Sequence, residues 1–275
     1  MDLHDLSKMS ASLEYTPKMP VLFLGHGSPM NAIEENEFVQ GFREIATQIP
    51  EPKAIVCISA HWETNGTFVT AMQNPPTIHD FGGFPQALFD VQYPAPGSPE
   101  LAAKTKELIK STSVVLDDNW GLDHGAWSVI RHLYPEANIP VIQMSINYNK
   151  GPNYHFELGQ QIKSLREKGI LIIGSGNMVH NLRMVDWKSI NTAGSGYDWA
   201  IEADETMKKL ILDGDHTPLI NFRSQGRIFD LAIPTPEHYL PLLYTLGLKD
   251  YDESVSLFND NTLGGSLSMT SVKIG

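Results

Sequence analysis

The sequence predicts a single α/β domain whose central, mostly parallel sheet is flanked by helices and finished at one edge by a hairpin or an antiparallel strand. Three observations predict it. Short, almost wholly apolar runs such as Ala54 to Ala60 have the composition of strands buried on both faces, as parallel central strands are. These runs alternate with longer stretches of helical periodicity, the pattern of βαβ units. Finally, the 275 residues contain no internal repeat, low-complexity tract or long linker, which favours one domain, residues 19–275. Residues 1–18 mix Asp2, Asp5 and Glu14 with Lys8 and Lys18, lack the apolar centre of a secretory signal, and are expected to form a flexible N-terminal extension.

Taken in order, Val21 to Leu24 is a short strand that runs into Gly25-His26-Gly27. Phe38, Phe42, Ile45, Ala46 and Ile49 form one stripe of a helix that Pro50 and Pro52 stop. The strand Ala54 to Ala60 ends at His61-Trp62-Glu63, and Gly66 to Met72 reads as a further strand. Asn74 to Pro99 is rich in proline and glycine and carries His79; a loop of this length is usually functional. Ser98 is the N-cap, and Pro99 the first residue, of a helix to Lys110. Val114 to Leu116 is a short strand, and His124-Gly125-Ala126-Trp127 opens a helix to about Tyr134. Strand Val141 to Ile146, helix Tyr154 to Lys168 and strand Gly169 to Gly174 follow, the last leading through Ser175-Gly176-Asn177 to His180. A helix over Trp199 to Leu212 precedes a loop, Asp213 to Pro218. The turn at Pro234-Thr235-Pro236-Glu237-His238 feeds a helix from Tyr239 to Leu246, and the tail Gly264 to Ile274 has the loose alternation of a closing edge strand.

Three apolar strands thus end in a histidine among small residues: His26, His61 and His180. Ligands of open α/β sheets bind beyond the carboxyl ends of the strands, so these imidazoles should converge on one rim. His124 and His238 sit in loops that open helices and can reach the same rim. Clustered neutral imidazoles are most often explained by a metal. Tyr239 and Trp62 suit pocket walls and core packing equally. His4, His132, His155 and His216 are assigned to solvated surface by default.

Other classes are disfavoured. The formal charge is −12, from 32 acidic and 20 basic residues without a basic run, so nucleic-acid binding is not expected. Apolar runs fall far short of a membrane span. The single cysteine, Cys57, lies in an apolar strand, which fits a buried residue in a reducing cytoplasm. Gly-x-Ser-x-Gly, Walker and His-Glu-x-x-His motifs are absent.

Six segments in order give a more specific reading: Gly25-His26-Gly27-Ser28-Pro29-Met30, Ser59-Ala60-His61-Trp62, Pro75-Pro76-Thr77-Ile78-His79-Asp80-Phe81-Gly82-Gly83-Phe84-Pro85, Asp123-His124-Gly125-Ala126-Trp127, His180-Asn181-Leu182-Arg183 and Pro234-Thr235-Pro236-Glu237-His238-Tyr239-Leu240-Pro241. Together they resemble the DOPA 4,5-dioxygenase branch of the class III extradiol ring-cleavage dioxygenases, the superfamily of the protocatechuate 4,5-dioxygenase catalytic subunit. The resemblance implies a catechol such as L-DOPA and O2 as substrates, and one divalent metal, Fe(II) for activity with Zn(II) as an isolated form. It puts His238 at the third ligand position beside His26 and His61, with Glu237 as a carboxylate alternative. It makes His180 the acid/base residue and a conditional fourth ligand, and gives His124 the stabilisation of bound oxygen or of the second hydroxyl. A monomer or small homo-oligomer is expected. A zinc-dependent hydrolase using the same histidines, or a non-catalytic binding protein of this fold, are the alternative readings.

Overall fold

A computed structural model describes residues 17–275. The expected N-terminal extension therefore lies outside the described residues up to residue 16. Lys18, which the sequence reading assigns to it, is tied to the body through Asp250 and, at 2.9 Å, Glu253.

The chain forms β1 (Val21–Gly25), α1 (Glu37–Thr47), β2 (Ala54–Ser59), β3 (Glu63–Thr64), β4 (Thr67–Thr70), α2 (Pro99–Leu108), β5 (Val114–Asp117), α3 (His124–Leu133), β6 (Val141–Gln143), β7 (Ile146–Asn147), α4 (Pro152–Ile162) and β8 (Ile170–Gly176). There follow α5 (Asp198–Asp213), α6 (His216–Ile220), α7 (Arg227–Ala232), α8 (Leu240–Gly247), β9 (Val255–Phe258), β10 (Thr262–Leu263), β11 (Leu267–Ser268) and β12 (Ser271–Ile274). The main sheet has the order β6-β2-β8-β1-β12-β9. Its first four strands are parallel, while β12 and β9 pair antiparallel at one side.

Side-chain alternation on the strands builds a core on each face of the sheet. Val21 and Phe23, Val56 and Ile58, and Ile170 and Ile172 enter one core with residues of α4, α5 and α8. Leu22 and Leu24, Ile55 and Cys57, and Leu171 and Ile173 enter the other with α1 and α3. Cys57 is fully buried and free, and burial pushes its thiol pKa well up, as for an inert core residue.

Helix starts follow the capping chemistry. Asn36 accepts from the backbone N–H groups of Phe38 and Val39, Ser98 from that of Leu101, and Asp123 from that of Ala126.

Several elements differ from the sequence reading. The tail strand β12 is not the edge, because the half-exposed Val255–Phe258 covers it. The predicted strand over Val141 to Ile146 breaks into β6 and β7, and β7 pairs with β3. β5 pairs with β4 in a separate two-stranded sheet. The predicted loop Asp213 to Pro218 contains the start of α6, and the helix from Tyr154 tightens to a 3₁₀ segment over Lys163–Lys168. His155 is fully buried, with its Nδ1 3.1 Å from the Tyr244 hydroxyl, and His132 is buried with Nε2 2.8 Å from the Asn31 carbonyl. Neither is a surface residue: each lies on the inner face of its helix, against another element.

Candidate metal centre

β1, β8 and β2 are neighbours and all parallel, so their carboxyl ends share one rim. His26 follows β1 directly, His61 lies two residues beyond β2, and His180 follows β8 after Asn177-Met178-Val179. Gly27 has φ +63°, a left-handed conformation that lets the chain turn immediately after His26. His124 is the first residue of α3. The loop before α8 brings His238 to the same rim. Its carbonyl accepts from the Asn177 N–H at 2.8 Å and approaches Gly176 so closely that a Cβ there would stand 2.1 Å from it.

The structure therefore gathers all five histidines of the sequence reading. Ring centroids are 5.0 Å apart for His26 and His61, 3.8 Å for His61 and His124, and 5.3 Å for His26 and His238. His180 stacks on His238 at 3.5 Å with an interplanar angle of 10°. The candidate ligand atoms fall into two close groups, His26-His61-His124 and His180-Glu237-His238, the Glu237 donor being a carboxylate oxygen. His79 stands apart: its Nε2 is 3.0 Å from the Val91 carbonyl, among Phe81, Phe89 and Trp127. Tyr239 and Trp62 are core residues, 1% and 4% exposed.

A set of polar groups orients the rings. Ser175 donates its hydroxyl hydrogen to the Gly125 carbonyl at 2.5 Å, so it can accept from His26 Nδ1–H at 3.0 Å. That leaves His26 Nε2 as a lone pair, 3.2 Å from His61 Nε2. His124 Nδ1 meets Asp80 Oδ2 at 2.9 Å, and His238 Nδ1 meets Glu237 Oε1 at 3.2 Å. Beneath them, the fully buried Asp123 accepts from Ser59 Oγ at 2.6 Å, Gln143 Nε2 at 2.7 Å and Trp120 Nε1 at 3.3 Å. Asp80 and Asp123 lie inside the sequence motifs, which by themselves assign neither a role. The signals were a carboxylate beside a histidine and a serine closing each of two apolar strands, Ser59 and Ser175.

Burial first, then neighbouring imidazoles, hold the pKa values of His26, His61 and His238 below the ordinary histidine range. Burial takes His180 down to about 4 against the opposing charge of Glu237. Burial raises the Asp123 pKa, with the Asp80 charge adding to it. These four histidines are neutral at pH 7, the state in which imidazole ligates metal. The 3.2 Å between the Nε2 atoms of His26 and His61 also suits adjacent ligands on one ion, since bonds of about 2.0–2.1 Å put neighbouring donors roughly 3 Å apart. The donor set thus fits one divalent metal.

Fold and site define an α/β protein with a cluster of imidazoles, fit to hold a divalent metal, on the rim of a parallel sheet. The family described as the catalytic LigB subunit of aromatic ring-opening dioxygenase matches residues 15–264, and the chain belongs to it. It is similar to the 4,5-DOPA dioxygenase extradiol of Escherichia coli (strain K12), 49% identical over 94% of this chain and 95% of that protein. It is likewise similar to the 4,5-DOPA dioxygenase extradiol of Beta vulgaris, 36% identical over 91% of this chain and 94% of that one. A crystal structure of an uncharacterized protein from Escherichia coli K12 superposes with a TM-score of 0.80 at 44% identity, covering 94% of this chain and all of that one. The chain is an enzyme, a ring-opening dioxygenase of the extradiol type, with a small aromatic substrate and O2.

Proposed function

We propose that the enzyme opens L-DOPA between carbons 4 and 5, with one Fe(II) held by His26, His61 and His238. The observation that carries this reading is the set of oriented imidazoles: His26, His124 and His238 each have Nδ1 engaged by a neighbour, which leaves Nε2 as the free donor nitrogen. L-DOPA is chosen because relatives at 49% and 36% identity carry its name. The bond beside the hydroxyl-bearing carbon breaks, and both atoms of O2 enter the product, a semialdehyde with a new carboxylate. When bound, the metal supplies a Lewis-acid and redox centre that acidifies the catechol and couples it electronically to O2.

The chain's own residues orient the ring and move its protons. His180 is the acid/base residue: its backbone N–H is fixed on the Ala232 carbonyl at 2.9 Å, while its ring lies parallel to His238. A residue in that position receives the second catechol proton and later returns it. It is also near enough to His238 to serve as a fourth ligand when no substrate is bound. His124, with Nδ1 on Asp80, offers Nε2 as an acceptor to the second hydroxyl. Phe81 stands edge-on to His124 at 5.5 Å and packs on Phe84, giving a wall for a planar ring.

Zn(II) suits the same donors but has no redox chemistry, so zinc-occupied enzyme should be inactive. The lone buried cysteine supports a reducing cytosol, and the acidic surface supports a small molecule rather than a nucleic acid as partner. We expect a monomer or small homo-oligomer. Anaerobic loading with Fe(II), followed by oxygen uptake on L-DOPA, tests the reading. Uptake should equal catechol consumed, and should be absent with Zn(II). Uptake by neither loaded form would overturn the assignment.

A further inference from the structure

Asp80 is a carboxylate placed to act on two of the clustered imidazoles at once, His61 and His124. The loop that carries it is fastened to the start of α3. Ile78 N–H donates to the Leu122 carbonyl at 2.7 Å, Leu122 N–H to the Pro76 carbonyl at 2.8 Å, and Trp127 Nε1–H to the Ile78 carbonyl at 2.8 Å. Asp80 Oδ1 then accepts from the His124 backbone N–H at 2.9 Å. Its Oδ2 lies 2.9 Å from His124 Nδ1 and 3.6 Å from His61 Nδ1. The side chain is 16% exposed, and the two rings it faces are 3.8 Å apart.

An ionised carboxylate only accepts hydrogen bonds. The His124 Nδ1, in hydrogen-bond contact, must therefore carry hydrogen, and the carboxylate charge 3.6 Å from the His61 Nδ1 favours hydrogen there too; a neutral imidazole has only one. Each Nε2 is then left as a lone pair. Without such a partner, neutral histidine carries its proton mainly on Nε2, the wrong nitrogen for this site.

We propose that Asp80 is a positioning residue that sets the tautomer of both His61 and His124, presenting their Nε2 atoms unprotonated to the centre. One loop carboxylate thereby couples a ligand to the neighbouring substrate-facing histidine. The clause on His61 as a ligand rests on the reading given above; the tautomer assignment itself does not.

Asparagine is the discriminating substitution because it is nearly isosteric. Its carbonyl must stay on the His124 backbone N–H, so its amide would point donor hydrogens at both Nδ1 atoms. Asp80→Asn should therefore invert the tautomers, whereas Asp80→Ala only removes the preference. Nitrogen-15 NMR of metal-free protein should show His61 and His124 as Nδ1–H in the wild type and as Nε2–H in Asp80→Asn. Affinity for Co(II) alone, read by its absorption against a competing chelator, should fall by about 10–100-fold in Asp80→Asn. Asp80→Ala should fall less. A packing role predicts the opposite order, with asparagine the milder change. Nε2–H on His124 or His61 in the wild-type protein would overturn the proposal without any variant, as would Asp80→Asn binding Co(II) better than Asp80→Ala. His61→Ala in the same titration separates the premises: undiminished Co(II) binding there removes His61 as a ligand, while the NMR result still decides Asp80.

Discussion

At the scale of single residues, the site depends on small groups as much as on imidazoles. Gly125 follows His124, and a Cβ on it would stand 2.4 Å from Ser59 Oγ and 2.8 Å from His61 Cδ2. Gly125→Ala should therefore shift the His61 ring and cost about 1–3 kcal/mol of stability by overpacking. Co(II) affinity measured below the melting transition should fall as well. Unchanged affinity would mean that the His61 position does not matter to the metal. The third ligand can be tested in the same way. Glu237 Oε1 already accepts from Thr235 Oγ1 at 2.8 Å and from His238, which makes it an orienting group. Glu237→Gln should keep metal and much activity, while His238→Gln loses both. The reverse pattern in a metal analysis would restore a two-histidine, one-carboxylate site. None of these contacts was legible in the chain. Asp80 and His124 are 44 residues apart, and only the pinned loop joins them.

At the scale of elements, legibility followed burial. β1, β2 and β8 were readable because every residue in them is buried, so their composition is uniformly apolar or small. β9 was not, because its residues are half-exposed and Ser256 breaks the apolar run. Strand partners are a tertiary property, which is why β5 read as a strand with no sign that it leaves the main sheet. The helix signals held where a cap was written in the sequence, as at Ser98. Ser98→Ala should cost about 1 kcal/mol in denaturant unfolding and leave turnover unchanged, since α2 lies away from the rim. A change in the rate without a change in stability would contradict that placement.

At the scale of the whole molecule, one ion cluster ties the start of β1 to the region after α8. Arg166 is fully buried. It donates to the carbonyls of Met19 and Leu248 at 2.8 Å each, and to both oxygens of Glu253 at 2.8 and 2.5 Å. Burial pushes the Glu253 pKa up, but Arg166 and the backbone N–H of Asp250 outweigh it, and the carboxyl falls to about 2. The unfolded chain takes up this proton first, near the ordinary value of about 4.3. The stabilisation is thus complete above that pH and is lost as the pH falls toward 2. Glu253→Gln should be destabilised by about 3–5 kcal/mol at neutral pH and flatten the acid limb of the stability curve. An unaltered acid limb would show that Glu253 titrates alike in both states. The cluster lies at the opposite end of β1 from His26, so it sets stability and leaves the chemistry to the rim.

The central claim is that this rim performs extradiol cleavage with O2. The most direct measurement is mass spectrometry of the product formed from L-DOPA by Fe(II)-loaded enzyme under ¹⁸O₂. The account predicts a ring-opened product carrying two labelled oxygens, and none from the His61→Ala variant. A quinone without label, or a ring-opened product labelled from water at both new oxygens, would contradict it.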